Sequence, residues 1–218
     1  MARRTPSIRS LLETSPVVPV LMIERVEHAV PLARALAAGD VRVLEITLRT
    51  SAALDAARAI ARDVPEVTVG LGTITRPEDL AAAAKVGARF AVSPGCTPEL
   101  LAAADDAKLP FMPGVVTASE IMAARAAGYT TLKFFPAEIA GGVRTLKAMA
   151  PLFPDVAFCP TGGVDESNAG EYLALGNVVA VGGSWLAPPD RVAAGDWPAV
   201  TRIAEAAART AARALGRR

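Results

Sequence analysis

The stretch Phe90-Ala91-Val92-Ser93-Pro94-Gly95-Cys96-Thr97-Pro98-Glu99 holds a strand end, a turn and a helix start. The apolar run stops at Ser93. Pro94 and Gly95 are turn residues for different reasons: proline presets its φ, and glycine accepts values other residues avoid. Thr97 ahead of Pro98 marks a helix start. Its hydroxyl can cap a free N–H, and a proline in the first turn sacrifices no intrahelical bond. The helical pattern then continues to residue 107.

The same rhythm extends in both directions. Short apolar runs rich in β-branched residues occupy 17–22, 43–47, 67–70, 90–93, 110–113, 131–134, 156–159 and 178–181. Helical patterns lie between them at 26–38, 52–62, 77–86, 98–107, 118–126, 143–150 and 168–174. A last helix is expected over 197–215 and an extra N-terminal one over 8–14. Thr75-Arg76-Pro77-Glu78 and Thr117-Ala118-Ser119-Glu120 both read as capping boxes. Strict alternation of strand and helix calls for parallel strands with right-handed crossovers. Eight such units in 218 residues predict an α/β fold: a single-domain (β/α)8 TIM barrel over residues 1–218, with an extra N-terminal helix. A doubly wound open sheet is the alternative, but no Gly-x-Gly-x-x-Gly follows the first strand.

Composition narrows the class. With 52% hydrophobic and 21% charged residues the chain can bury a core, which excludes a disordered protein. Lys+Arg (23) and Asp+Glu (22) nearly cancel, so no general attraction to nucleic acid or membrane is expected. Two cysteines, Cys96 and Cys159, make no disulfide framework and point to a reducing, cytoplasmic setting. Both read as packed or loop thiols. One histidine, His28, excludes a His-rich metal site, and its pattern places it on a solvent-facing helix. Arg3, Arg4 and Arg9 precede no apolar run, so no secretory signal is expected. The uncharged stretch 172–189 is long enough to suggest a membrane span, but Gly176, Gly182, Gly183, Pro188 and Pro189 break it into helix end, strand and loop. Arg202, Arg209, Arg213, Arg217 and Arg218 read as a solvated helix and tail.

Several residues at strand ends are wrong for a core. Lys133 lies in the otherwise apolar Thr131-Leu132-Lys133-Phe134-Phe135-Pro136, whereas Lys85, Lys108 and Lys147 sit on helical or loop segments. A lysine held in a strand either reaches solvent from the strand end, pairs with a carboxylate, or loses its charge and becomes a nucleophile toward carbonyls. Glu45 breaks Val43-Leu44-Glu45-Ile46-Thr47-Leu48-Arg49 in the same way. Period two places Val43, Glu45, Thr47 and Arg49 on one face. Glu45 there is a general base or one half of an ion pair with Lys133 or Arg49. Arg49 is a fork for a small carboxylate or a solvated loop residue. Thr161-Gly162-Gly163-Val164 and Gly182-Gly183-Ser184 follow the last two strands, where barrels bind phosphate. Their glycines admit close approach of an anion, and their N–H groups and hydroxyls are donors. Gly70, Gly72 and Gly95 read as turn chemistry, with Thr73 available to a substrate carboxylate.

Taken together, these segments resemble the bacterial 2-keto-3-deoxy-6-phosphogluconate (KDPG) aldolase / 4-hydroxy-2-oxoglutarate (KHG) aldolase family. The likeness runs from about Val17 to Trp197. It is carried by Pro16-Val17-Val18-Pro19-Val20, Glu45-Ile46-Thr47-Leu48-Arg49-Thr50, Gly72-Thr73, Ser93-Pro94-Gly95, Thr131-Leu132-Lys133-Phe134-Phe135-Pro136-Ala137-Glu138, Pro160-Thr161-Gly162-Gly163-Val164 and Gly182-Gly183-Ser184-Trp185-Leu186. The resemblance implies a class I aldolase, a homotrimer, with no metal and no cofactor beyond a covalent imine. It implies that Lys133 forms the imine and Glu45 is the acid/base. It further implies that Arg49 and Thr73 hold the pyruvyl carboxylate, that Pro94 and Phe135 line that pocket, and that Thr161, Gly162, Gly163 and Ser184 bind the substrate phosphate. Asp165 and Glu166 add negative charge just after that turn. Three alternatives stand beside the KDPG-cleaving reading: a non-catalytic phosphate-ester-binding or assembly barrel, an aldolase for the 6-phosphogalactonate analogue, and an oxaloacetate decarboxylase using the same iminium.

Overall fold

The computed structural model describes residues 7–216. Arg3, Arg4, Arg217 and Arg218 of the sequence reading lie outside the described residues. In chain order the elements are α1 (Ile8–Thr14), β1 (Val17–Leu21), α2 (Val26–Ala38), β2 (Val43–Thr47), α3 (Ala53–Asp63), β3 (Thr68–Gly72), α4 (Pro77–Lys85), β4 (Phe90–Val92), α5 (Pro98–Ala107), β5 (Phe111–Met112), β6 (Gly114–Val115), α6 (Ala118–Ala126), β7 (Thr131–Phe134), α7 (Gly142–Met149), β8 (Ala157–Pro160), α8 (Ala169–Leu173), β9 (Val181–Gly183), α9 (Pro189–Ala194) and α10 (Trp197–Ala214).

Every strand pairing is parallel. One sheet has the order β5-β4-β3-β2-β1-β9 and a second the order β6-β7-β8. Pro113 separates β5 from β6, because a proline nitrogen cannot donate to the ladder. Its carbonyl still accepts from Lys133 N at 2.9 Å. Isolated bridges Phe158↔Val178 and Thr161↔Gly182 join the second sheet to the β9 side of the first.

The strands alternate between two cores, as their period of two requires. Leu44, Ile46, Val69, Leu71, Ala91, Leu132, Phe134 and Phe158 face the helices, in one large cluster with Leu32, Leu36, Ile60, Leu80, Ile121 and Val200. Val18, Val43, Phe90, Val92, Met112, Cys159 and Ala180 face inward, in a smaller cluster enclosed by both sheets. Leu12 of α1 is fully buried in that inner cluster, with Ile8 and Leu11 packed against it. The N-terminal helix thus stoppers one end of the interior.

The helix starts follow the sequence reading at two of three places. Thr97 Oγ1 accepts from Leu100 N at 3.2 Å. Thr117 Oγ1 accepts from Glu120 N at 3.3 Å, and Glu120 returns the bond to Thr117 N at 2.7 Å. At α4 the box is displaced by one residue. Asp79, not Glu78, accepts from the N–H groups of Thr75 and Arg76, because the helix begins at Pro77. Two further corrections concern strands. β3 runs on to Gly72, so Gly70 and Gly72 are strand glycines and not turn residues. The last strand is Val181–Gly183, and Val178 makes only an isolated bridge. The helix α9 was not expected from the pattern. His28 is half-buried, edge-on to Trp197 with ring centroids 5.6 Å apart, and is not a freely solvated residue. Among the described residues no helix is long and apolar enough to cross a membrane.

Two outcomes follow from the inner cluster. Leu12→Ala should lower unfolding stability by about 2–5 kcal/mol in urea denaturation, since it opens a cavity at a fully enclosed site. A cost no larger than that of Leu11→Ala would mean that α1 is only a surface helix. Burial pushes the Cys159 thiol up to about 12. An unfolded thiol ionises near about 8.5, so the folded state binds more protons above that pH and this group makes stability fall as pH rises from about 9. At pH 8 Cys159 should therefore react with Ellman's reagent only on unfolding. Two fast-reacting thiols in the native protein would contradict this.

Candidate active site

Because all strands run the same way, their C-terminal ends share one edge. The residues singled out in the sequence collect there. Arg49 follows β2, Thr73 follows β3, Pro94 follows β4, Phe135 follows β7, Thr161 follows β8 and Ser184 follows β9. The N-termini of α4, α5 and α6 open on the same side.

Lys133 and Glu45 lie deepest. Both point inward, on β7 and β2, and are 5% and 2% exposed. Lys133 Nζ donates to Glu45 Oε1 at 2.9 Å and Oε2 at 3.2 Å. The sequence left Glu45 a choice of partner, and the structure gives it Lys133, 88 residues away. Arg49 does not share the strand face, because β2 ends at Thr47 and Arg49 sits exposed in the following turn. Its Nε donates to Thr47 Oγ1 at 3.1 Å, and Thr47 Oγ1 donates in turn to Leu21 O at 2.9 Å. Thr47, buried, is a supporting residue the sequence reading did not single out.

Gly72 makes room for the pair. A Cβ at Gly72 would stand 2.1 Å from Glu45 Oε1 and 2.6 Å from its Cγ. The Glu45 carboxylate therefore lies directly over the β3 backbone. Next in sequence, Thr73 has φ +62°. That region is costly for a β-branched residue, by about 1–3 kcal/mol, and such strain concentrates at functional sites.

The surroundings of Lys133 are mixed. The Phe135 ring centroid lies 5.3 Å from Nζ, within cation–π range. Gly114 is the register partner of Lys133 on β6 and backs directly onto Pro94, so Pro94 lies beside the lysine strand. Ser93 Oγ accepts from Gly114 N at 3.3 Å and ties the two loops together. Cys159 is the register partner on the other side. Its thiol is held protonated mainly by burial, against an opposing pull from Lys133.

The glycine turn lies beyond Phe135. Gly162 and Gly163 have φ +95° and +79°. The Phe135 ring stands 3.2 Å from where a Gly162 Cβ would be. Thr161 is buried, bridged to Gly182, with Oγ1 donating to Cys159 O at 3.4 Å. Asp165 is turned to its own loop, accepting from Ser167 N at 2.8 Å. Hydrogen bonds from Ser167 hold its carboxyl below the usual carboxylate range. Arg49 and Ser184 line a cleft of about 420 Å³ whose other walls include Leu21, Met22, Ile23 and His28. Lys133 and Glu45 are not among its lining residues, so the rim residues Arg49 and Ser184 face a space beside the buried pair.

Residues 8–203 match the family described as KDPG and KHG aldolase. The chain is 52% identical to the KHG/KDPG aldolase of Escherichia coli (strain K12) over 92% of its own length and 94% of that protein's. It is 46% identical to the 2-dehydro-3-deoxy-phosphogluconate aldolase of Pseudomonas aeruginosa, covering 95% and 94%. A crystal structure of the Legionella pneumophila KDPG aldolase, with pyruvate captured as a covalent carbinolamine, superposes with a TM-score of 0.90 at 44% identity. That match covers 92% of this chain and 97% of the other. The chain thus belongs to the KDPG and KHG aldolase family.

Proposed function

We propose that this protein is a class I aldolase. It cleaves 2-dehydro-3-deoxy-6-phospho-D-gluconate to pyruvate and D-glyceraldehyde 3-phosphate, and 4-hydroxy-2-oxoglutarate to pyruvate and glyoxylate. The observation that carries this reading is the buried Lys133 Nζ held 2.9 Å from Glu45 Oε1 at the floor of a polar rim. The names of the relatives, and the carbinolamine captured in the Legionella protein, point the same way.

In this mechanism Glu45 takes a proton from Lys133, and the neutral amine attacks the C2 ketone. Glu45 returns that proton to the carbinolamine hydroxyl, which leaves as water, giving an iminium and restoring the Glu45 carboxylate. Glu45, directly or through water, removes the C4 hydroxyl proton. The C3–C4 bond breaks, its electrons pass into the iminium, and an enamine and an aldehyde result. Protonation of the enamine and hydrolysis release pyruvate and restore the lysine. Arg49 and Thr73 hold the pyruvyl carboxylate, Pro94 and Phe135 wall the reacting carbons, and Thr161, Gly162, Gly163 and Ser184 take the phosphate. The iminium formed on Lys133 is itself the electron sink, so no cofactor enters.

The finer architecture belongs to the same reading. We take the two sheets as one closed (β/α)8 barrel, counting β5 and β6 as a single strand broken at Pro113, in a single domain over residues 1–218. The bridges Phe158↔Val178 and Thr161↔Gly182 support closure, as do the bonds Ser93 N to Met112 O and Lys133 N to Pro113 O. Homotrimeric assembly rests on the family resemblance. A cytoplasmic location rests on the two cysteines, both free thiols.

Borohydride reduction in the presence of pyruvate, followed by peptide mass mapping, tests the chemistry. A pyruvyl adduct should appear on Lys133 and vanish in Lys133→Ala. Glu45→Gln should reduce kcat by about 10²–10⁴-fold. Absence of adduct from the folded wild-type protein would favour a phosphate-ester-binding barrel without turnover. Ser184→Ala should raise KM for the phosphorylated substrate and leave KM for 4-hydroxy-2-oxoglutarate unchanged in steady-state assays. Equal effects on both substrates would remove Ser184 from the phosphate site.

A further inference from the structure

Glu138 and Tyr172 form a contact outside the site described above. Tyr172 is on α8 and fully buried in the helix-facing core. Its hydroxyl donates to Glu138 Oε1. Glu138 lies in the loop between β7 and α7, five residues beyond Lys133. The stem of Glu138 packs on the glycine turn, with its Cβ and Cγ 2.6 Å from where a Gly163 Cβ would stand. Alanine at 163 would therefore meet both a left-handed φ and this stem.

The backbone beneath that stem fixes the direction of the glycine N–H groups. Ala137 N donates to Thr161 O at 2.8 Å, and Glu138 N donates to Gly162 O at 3.0 Å. In a trans peptide the N–H points opposite to the C=O of the same unit. Anchoring Thr161 O on the 137–138 segment turns the Gly162 N–H away from that segment. Anchoring Gly162 O does the same for the Gly163 N–H. Asn168 Nδ2 donates to Gly163 O at 3.0 Å and fixes the next peptide. The two N–H groups assigned to the substrate phosphate thus take their orientation from residues 137 and 138. The 137–138 segment is tied to the helix layer by the Tyr172 hydroxyl.

We infer that Glu138 and Tyr172 are positioning residues that set selectivity for phosphorylated over unphosphorylated substrate, by aligning the Gly162 and Gly163 N–H groups. This rests on the aldolase reading and on phosphate binding at that turn. Neither side chain takes part in bond breaking. Burial and then the Glu138 carboxylate push the Tyr172 hydroxyl up, so it remains a hydrogen-bond donor across the working pH range. Loss of the hydroxyl releases the Glu138 side chain from the helix layer and loosens the template, while Lys133 and Glu45 on β7 and β2 keep their own contacts.

Tyr172→Phe removes only the hydroxyl. Steady-state kinetics of wild type, Tyr172→Phe and Glu138→Gln should be compared on 2-dehydro-3-deoxy-6-phospho-D-gluconate and on 4-hydroxy-2-oxoglutarate. Calorimetric titration with inorganic phosphate adds a readout that needs no turnover. Tyr172→Phe should raise KM for the phosphorylated substrate about tenfold and weaken phosphate binding to a similar degree. Its kcat and KM on 4-hydroxy-2-oxoglutarate should stay within about twofold of wild type. Glu138→Gln, whose amide oxygen still accepts from Tyr172, should remain near wild type on both substrates. Equal losses on both substrates, or no change in either KM or in phosphate binding, would overturn the inference. If wild type turns over neither substrate, the aldolase reading fails, while the phosphate titration still decides the role of Tyr172.

Discussion

The ion pair between Lys133 and Glu45 is the constraint on which the rest of the site depends. Moving two charges out of water costs several kcal/mol per ion, and a well-packed apolar pair of similar volume is often as stable or more so. Removing one partner alone typically costs about 3–5 kcal/mol, because the other charge is left unpaired. Stability therefore gives no reason for these two residues to be here, whereas the proposed imine chemistry would require both. The pair also dictates its neighbourhood. Gly72 must lack a side chain, since Glu45 occupies that space. Beneath the pair, Val43 and Cys159 supply an apolar floor, and the Cys159 thiol stays neutral and adds no charge.

Parallel strands convert this floor into a site. Residues just past the C-terminal strand ends land on one edge whatever their separation in sequence. The carboxylate-binding and phosphate-binding candidates thereby come to the same edge as the pair, with Arg49 and Ser184 on a cleft beside it. The rim is graded in exposure, from buried Thr161 through half-buried Thr73, Pro94 and Phe135 to exposed Arg49 and Ser184. The left-handed backbone of Thr73 is the one strained point on this rim at a β-branched residue.

Much of this was legible from residue pattern. Lys133 and Glu45 stood out because a charged side chain in a short apolar strand has few ways to be tolerated. Thr97 and Thr117 announced their helices because capping chemistry is local, and both caps formed. The failures share a different cause. Pro113 was read inside a strand, yet its missing N–H divides that strand between two sheets. Asp79 took the capping role expected of Glu78 because the helix starts one residue later than the motif suggested. Gly70 and Gly72 looked like turn residues, since a sequence does not say which neighbour needs the space a missing Cβ leaves. Those neighbours are the Phe90 ring and Glu45, and both come from other strands.

The sequence by itself determined the alternation of strand and helix, the parallel class of sheet that alternation demands, and the chemical identities of the lysine, the carboxylate and the glycine turns. Each of these is written in a local period, a cap or a spacing of a few residues. The tertiary structure alone decided that Glu45 pairs with Lys133 and not with Arg49, that Arg49 leaves the strand face for a cleft shared with Ser184, and that Tyr172 reaches Glu138. Those contacts join residues from different strands and helices, tens of residues apart. Their distances are set by sheet register and by packing of the helix layer, which no local pattern encodes.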